Sequence, residues 1–461
     1  MAEHPVSLIV TDDLERSRWT VGFRALLAIP HYIWLGLWTV LAIFAAFANW
    51  VGVIVLGRSP ALLHRFLAAY VKYVTQLYAY LRIAANPYPS FDGPDGYPVD
   101  LRIAPPAPQS RLTALFRIVL ALPALLLAQA LGGGVSGTIS GRRNNVNSIS
   151  SNGLGGVISI AAWFASIALR RTPRGLRDTA AWSVGYGAQV WSYLLLLHDR
   201  YPNSDPLALL PEVPVREDPV TARSDDDLRR SRLTVFFRLP LAFPHLVWLV
   251  LWGVVVFFVA IANWFMTLIR GTPPDSLHRF LSRYVRYEVS VYAFLHVIAN
   301  PFPGFAGAQG AYPPLEAQIA PPARQNRWKT GFRIVLALPA AFIAGGFSSI
   351  LFLVAILCWF TALVRGRLPR GLRTVGALAL RYHAATAGYV LLLTDAYPYT
   401  GPLRSDAPRA GEEPAPAGGL PEEMPGGTRP VVDMPGAPSP GSPSGDTPPA
   451  DGTAGAPPPG G

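Results

Sequence analysis

The chain has one cysteine, two lysines and long stretches with no charge at all. Each scarcity excludes something. Cys358 alone can form neither an intramolecular disulfide nor a cysteine metal cluster. With Lys72 and Lys329 as the only lysines, positive charge is almost wholly arginine. Abundant Ala, Gly and Pro accompany it, as a GC-rich bacterial coding sequence would give. No HExxH, phosphate-binding P-loop, GxSxG elbow or cysteine pair occurs. Gly132-x-Gly134-x-x-Gly137 has the letters of a dinucleotide fingerprint, but it follows no predicted strand and opens no clear helix. The apolar runs also lack the Asp and Glu of a proton relay. Nothing here predicts an enzyme or a cofactor.

What is present is apolar length. Half of the 461 residues are hydrophobic and mean hydropathy is +0.30, high for a water-soluble chain of this size. Residues 30–56 contain no Asp, Glu, Lys or Arg, and residues 244–269 repeat the pattern. About 20 apolar residues cross roughly 30 Å of hydrocarbon, so both runs predict transmembrane helices. The opening MAEHPVSLIVTDDLERSR is acidic and polar, unlike the basic start of a secretory signal, so the first run reads as an uncleaved anchor. The net charge is +11, and the segment 401–461 carries three Arg against eight acidic residues, leaving +16 on residues 1–400. Because the arginines flank apolar runs, the expected partners are anionic membrane lipids and not nucleic acid.

The arginines recur in register. FRIVLALPA occurs at 116–124 and again at 332–340, with FRALLAIPH at 23–31 and FRLPLAFPH at 237–245. Arg24, Arg117, Arg238 and Arg333 are each followed six residues later by a proline: Pro30, Pro123, Pro244 and Pro339. Downstream come Trp50, Trp163, Trp264 and Trp359, a basic turn with proline, a second helical stretch, and a closing NPYP, DRYP, NPFP or DAYP. The chain therefore divides into repeat A (1–95), repeat B (96–210, with a Gly-rich insertion at 132–156), A′ (211–309), B′ (310–400) and a Pro/Gly-rich tail (401–461) expected to be disordered. The predicted fold is an all-α integral membrane protein of four tandem helical units in two pseudo-symmetric halves. The extended stretches HPVSLIV, YPVDLRIA, DPVTARS and YPPLEAQIA are expected to pair into a small β element at the membrane surface.

Within unit A, residues 17–29 suit an amphipathic helix at headgroup level that bends at Pro30 into the span; a single Pro-kinked helix over 17–56 is the alternative. Arg24, Arg117, Arg238 and Arg333 then sit at span entries with guanidinium groups reaching lipid phosphate. His64-Arg65 and His278-Arg279, after the basic turns, are expected to contact phosphates as well. His31 and His245, next to the repeat prolines, form a polar pair of sites in the membrane, either bonded to backbone or open to a ligand. Small residues in the second helices of B and B′ would let these cross too, giving four to eight crossings of a bacterial cell membrane.

The run R-x-x-x-x-F-R-x-x-x-A-x-P-H, the helix ending in G-R-x-P or T-P-R-G-L, and the D-R-Y-P close resemble an uncharacterised bacterial membrane family, domain of unknown function 4389. The resemblance covers nearly all of 1–400 and implies an integral membrane module, often in tandem, with no activity or catalytic residue to carry over. The function expected is non-enzymatic: a multi-pass protein whose arginine-rich face contacts anionic headgroups and scaffolds a cell-envelope partner. A small-molecule or lipid transporter, with a site between the duplicated halves, is the alternative.

Overall fold

The structure is a computed structural model; it describes residues 4–132 and 153–403, apart from 211, 215–217 and 224–227. Most of the Gly-rich insertion, including Gly134 and Gly137, and the tail from residue 404 lie outside the described residues.

A short helix opens the first segment (α1, Arg18–Gly22), followed by α2 (Arg24–Leu27) and α3 (Ile29–Leu56). Gly57 then turns left-handed, its N–H bonding to the Val53 carbonyl at 2.8 Å, and α4 (Ala61–Leu81) returns. Gly suits this place because a side chain there would strain against the backbone. The same succession follows in α5 (Arg111–Leu115), α6 (Arg117–Leu131), α7 (Gly153–Leu169) and α8 (Arg174–Leu194), then a short α9 (Pro206–Leu209). It recurs in α10 (Arg232–Phe236), α11 (Arg238–Arg270) and α12 (Asp275–Leu295), and in α13 (Arg327–Gly331), α14 (Arg333–Arg365) and α15 (Arg370–Val390).

The break between short and long helix falls at phenylalanine, not at the repeat proline. Phe23, Phe116, Phe237 and Phe332 share φ values of −98°, −96°, −89° and −96°, with ψ between 8° and 15°. The repeat arginine opens α6, α11 and α14; in the first segment it opens α2, and a second break at Ala28, two residues before Pro30, precedes α3. Pro123, Pro244 and Pro339 lie inside their helices and Pro30 in the first turn of α3. A proline this close to the N-terminus forfeits few backbone bonds, so the helix continues through it.

Among the described residues, three helical stretches are long and apolar enough to cross a membrane: Arg24–Leu56, Arg238–Arg270 and Arg333–Arg365, each 33 residues. At 1.5 Å per residue each is roughly 50 Å long, well beyond about 30 Å of hydrocarbon, which implies tilt or immersed ends. α6 and α7 are shorter apolar pieces on either side of the undescribed insertion. The 21-residue second helices are not among the spans. α8 is buried along almost its whole length, and α12 carries Arg279, Arg283, Arg286 and Glu288.

Each second helix packs antiparallel against its own first helix, α4 also packs on α8, and α12 on α15. α14 packs on α6 and α7. The four predicted extended stretches do form strands, but in two separate antiparallel pairs. β1 (Val6–Val10) pairs with β2 (Val99–Ile103), Val6 opposite Ile103; β3 (Val220–Arg223) pairs with β4 (Glu316–Ile319). The first pair rests on α4 and α8, the second on α12 and α15.

The repeat tryptophans lock neighbouring segments together. Trp50 Nε1 donates to the Ala114 carbonyl of α5 at 3.2 Å, while Trp163 Nε1 donates to the Val21 carbonyl of α1 at 3.1 Å. Trp264 donates to Thr330 of α13 at 2.8 Å and Trp359 to Val235 of α10 at 3.2 Å. Each tryptophan thus holds the short helix of the adjacent segment, not its own, and the exchange is reciprocal.

Candidate functional site

The four repeat arginines are buried, at 3, 2, 2 and 1 % exposure for Arg24, Arg117, Arg238 and Arg333. Their guanidinium groups turn inward onto the C-terminal end of the following helix, where backbone carbonyls gather the negative end of the helix dipole. Arg24 donates to the carbonyls of Tyr80 at 2.5 Å and Ala85 at 3.0 Å. Arg238 donates to those of Phe294 at 2.7 Å and Ala299 at 3.2 Å. The other two reach side chains: Arg117 bonds Gln109 Oε1 at 3.0 Å and Asp199 Oδ1 at 2.9 Å. Arg333 bonds Gln325 Oε1 at 2.7 Å and Asp395 Oδ1 at 3.1 Å. All four lie over an aromatic face, Tyr80, Tyr193, Phe294 or Tyr389, at 4.1–4.4 Å from the ring centre, a favourable cation–π distance. The position at the lipid boundary expected for these four is therefore corrected: an internal cap satisfies a buried guanidinium that would otherwise be costly.

The ends they cap are unusual. Each second helix closes on a left-handed non-glycine residue: Ile83, Leu196, Val297 or Leu392, with φ of 59–65°. The following N–H then bonds back five residues, as Ala84 to Ala79 at 2.9 Å and Leu393 to Gly388 at 2.8 Å, a Schellman-type close. Exposed carbonyls remain, and buried side chains take them. Asn49 bonds Leu195 O at 2.9 Å and Gln109 bonds Leu196 O at 2.7 Å. Asn263 bonds Leu391 O at 3.0 Å and Gln325 bonds Leu392 O at 2.5 Å. Arg16 bonds Ile83 O at 3.2 Å and Arg230 bonds Ile298 O at 2.7 Å.

The histidines divide between two roles. His31 Nδ1 lies 2.9 Å from the Tyr73 hydroxyl and stacks on Phe91 at 4.3 Å between ring centres. His245 lies 2.7 Å from Tyr287 and stacks on Phe305 at 4.2 Å. Both are fully buried. His278 Nε2 lies 3.4 Å from the Leu393 carbonyl, and His64 faces the Leu197 carbonyl. Burial lowers the pKa of His64 and of His278. Their neighbours Arg65 and Arg279 are exposed. Among the described residues no group of three or more His, Cys, Asp or Glu side chains could hold a metal ion.

Two features escaped the sequence. One is a half-buried polar cluster between α12 and α15, where His383 Nε2 meets Glu288 Oε1 at 3.3 Å beside Tyr292 and His296. Its only sequence signal is that the charged and imidazole positions fall on facing second helices. The other is a crevice of about 1000 Å³ between α7 and α14. Ile160, Phe164 and Ala165 line one wall, Leu338, Phe342 and Ile343 the other. At one end sit Arg171, Arg174, Tyr399 and Thr400. Arg174 approaches Asp178 at 3.6 Å and Glu212 at 3.8 Å. Residues this far apart in sequence cannot be seen to converge without the fold.

No curated protein and no solved structure matches the chain. Residues 18–92, 232–306 and 327–400 each match the family model described as Domain of unknown function (DUF4389), which supports a repeated unit.

Proposed function

We propose that the protein is a non-enzymatic, multi-pass protein of a bacterial cell membrane that contacts anionic lipid headgroups and scaffolds a cell-envelope partner. Its architecture would be four copies of one helical module in two pseudo-symmetric halves. The observation that carries this reading is the apolar surface of the three long helices. Leu37, Phe44, Phe257 and Phe258 are 61, 70, 62 and 64 % exposed, and similar side chains continue along both α3 and α11. Such a surface left in water forfeits about 25 cal/mol per Å², whereas lipid covers it. The four-copy reading is supported by the recurrence of the phenylalanine break, the buried arginine and the tryptophan exchange in the segment between residues 92 and 232, which lies outside the matched stretches. With the repeat arginines turned inward, headgroup contact falls to exposed cations beside the apolar surface, Arg65 and Arg279 among them.

The test is co-flotation of the purified protein with vesicles of phosphatidylcholine, with and without phosphatidylglycerol. The expected outcome is stable insertion in both, resistant to alkaline extraction. A protein that stays monodisperse in detergent-free buffer contradicts the reading. The crevice between α7 and α14 favours a second reading, a lipid or small-molecule transporter.

A further inference from the structure

We propose that the crevice between α7 and α14 is a binding site for an anionic phospholipid, one acyl chain lying between the helices and the headgroup at the arginine end. The proposal rests on the membrane reading above and goes further by giving one site a ligand class. Three observations carry it.

The walls are apolar and open sideways onto the same surface as the rest of the long helices: Phe164 is 64 % and Phe342 42 % exposed. A chain entering there leaves one apolar environment for a better-packed one. The crevice runs along α7 from Ile160 to Leu169, roughly 14 Å at 1.5 Å per residue. Its volume is at the top of the range of about 300–1,000 Å³ that small-molecule sites occupy.

The second observation is charge. The crevice is not closed by apolar side chains at both ends: α7 finishes there, and Arg171 and Arg174 stand at the mouth with the Tyr399 and Thr400 groups. Arg171 is exposed. Arg174 shares Asp178 with Arg177, which lies closer at 2.7 Å, so Asp178 does not need Arg174 for its charge to be met. Planar guanidinium groups suit phosphate oxygens, and this juxtaposition of an apolar trough with a cationic rim is the chemistry of an anionic amphiphile.

The third is that the site is built by close backbone packing. Gly175, at the start of α8, has Thr400, Tyr399 and Gly401 so near that a Cβ would meet the Thr400 hydroxyl at 2.7 Å. Thr179 Oγ1 donates to the Thr400 carbonyl at 3.1 Å, and Tyr399 donates to Asp178 at 3.4 Å. The rim is therefore held by hydrogen bonds between distant parts of the chain and is present before any ligand arrives.

The experiment places the full chain in vesicles containing phosphatidylglycerol with a photoreactive diazirine on one acyl chain, or the phosphatidylcholine equivalent, and maps cross-links by mass spectrometry. Phosphatidylglycerol should label residues 160–169 and 338–343 above the general labelling of α3 and α11, and more than phosphatidylcholine does. Ala165→Trp, which fills the trough, should remove the excess at the crevice and leave α3 and α11 unchanged. Arg171→Gln should cut the preference for the anionic lipid by about five-fold, the effect of one cation near a charged headgroup. Labelling of α3 and α11 with no excess at the crevice overturns the site and leaves the membrane reading standing. No labelling of α3 or α11 overturns the membrane reading, and the site with it. Equal labelling by both lipids overturns the anionic assignment.

Discussion

The α4–α8 interface and the α12–α15 interface occupy the same place in two similar arrangements, yet they are filled differently. Between α4 and α8, Arg82 bonds Ser183 Oγ at 2.8 Å beside a small cavity of about 20 Å³ lined by Tyr70, Tyr78 and Trp191. Between α12 and α15 stand Glu288, His383 and His296. The ends of the same helices correspond in pairs: α4 and α12 each close under an inward arginine over an aromatic ring with Arg16 or Arg230 on a terminal carbonyl, α8 and α15 under an inward arginine with a glutamine and an asparagine on terminal carbonyls. The difference teaches where the fold has freedom. A helix end leaves carbonyls that must find donors, so its donors recur. A helix middle has its backbone satisfied, and any mutually paired set of side chains will serve.

If that distinction is right, the largest effects belong to the ends. Arg117→Met and Arg333→Met should each destabilise the protein by about 3 kcal/mol, because each strands a buried glutamine oxygen and a half-buried carboxylate. The two losses should be alike, measured as the fall in melting temperature of the detergent-solubilised protein. Lysine at either place should restore little, since one ammonium cannot serve a glutamine and an aspartate together while lying over a ring. Unequal losses would break the equivalence of the ends.

Acidification should separate the two regions. His198 is buried near His4 and Arg117, and that burial lowers its pKa to about 3. The unfolded chain takes up this proton near the ordinary value of 6.5, so the folded state loses stability as pH falls from 6.5 towards 3. His383 behaves oppositely. Burial opposes its charge, but the hydrogen bond and charge of Glu288 outweigh it and raise the pKa above 6.5. Its contribution is full below pH 6.5 and is lost as pH rises through the raised value. His198→Gln should therefore flatten the acid side of a melting-temperature profile, and His383→Gln the alkaline side.

Smaller effects should follow from single neutral bonds. Trp264→Phe keeps the ring but removes the bond to Thr330, at a cost of about 1 kcal/mol, and Trp50→Phe should match it. Smallest is Arg65→Gln or Arg279→Gln, each lowering binding to phosphatidylglycerol vesicles by less than about 1 kcal/mol and only at low salt.

Much of this architecture was legible in the sequence. The charge-free runs predicted long apolar helices because composition alone decides that question, and recurrence at the start of each repeat picked out all four extended stretches. The arginines were found but misdirected. An arginine beside an apolar run ordinarily points to water, and only the return of a helix end some 56 residues later, as from Arg24 to Tyr80, supplies carbonyls that compete with phosphate. The bend was assigned to proline because proline restricts its neighbour; a break beside Pro30 does occur at Ala28, but the break common to all four segments lies at Phe23 and its counterparts, which have no special backbone preference. Three helices among the described residues are long and apolar enough to cross a membrane; the second helices, read from their small residues as further crossings, pack on one another and on the strands. The crevice was invisible because its walls lie about 180 residues apart.

The most direct test of the inward arginines is their reaction with phenylglyoxal in the intact, lipid-reconstituted protein, followed residue by residue by mass spectrometry. Arg65 and Arg279 should be modified readily, while Arg24, Arg117, Arg238 and Arg333 stay protected until the protein is unfolded. Modification of those four at the rate of Arg65 would contradict the buried caps and return them to the membrane surface.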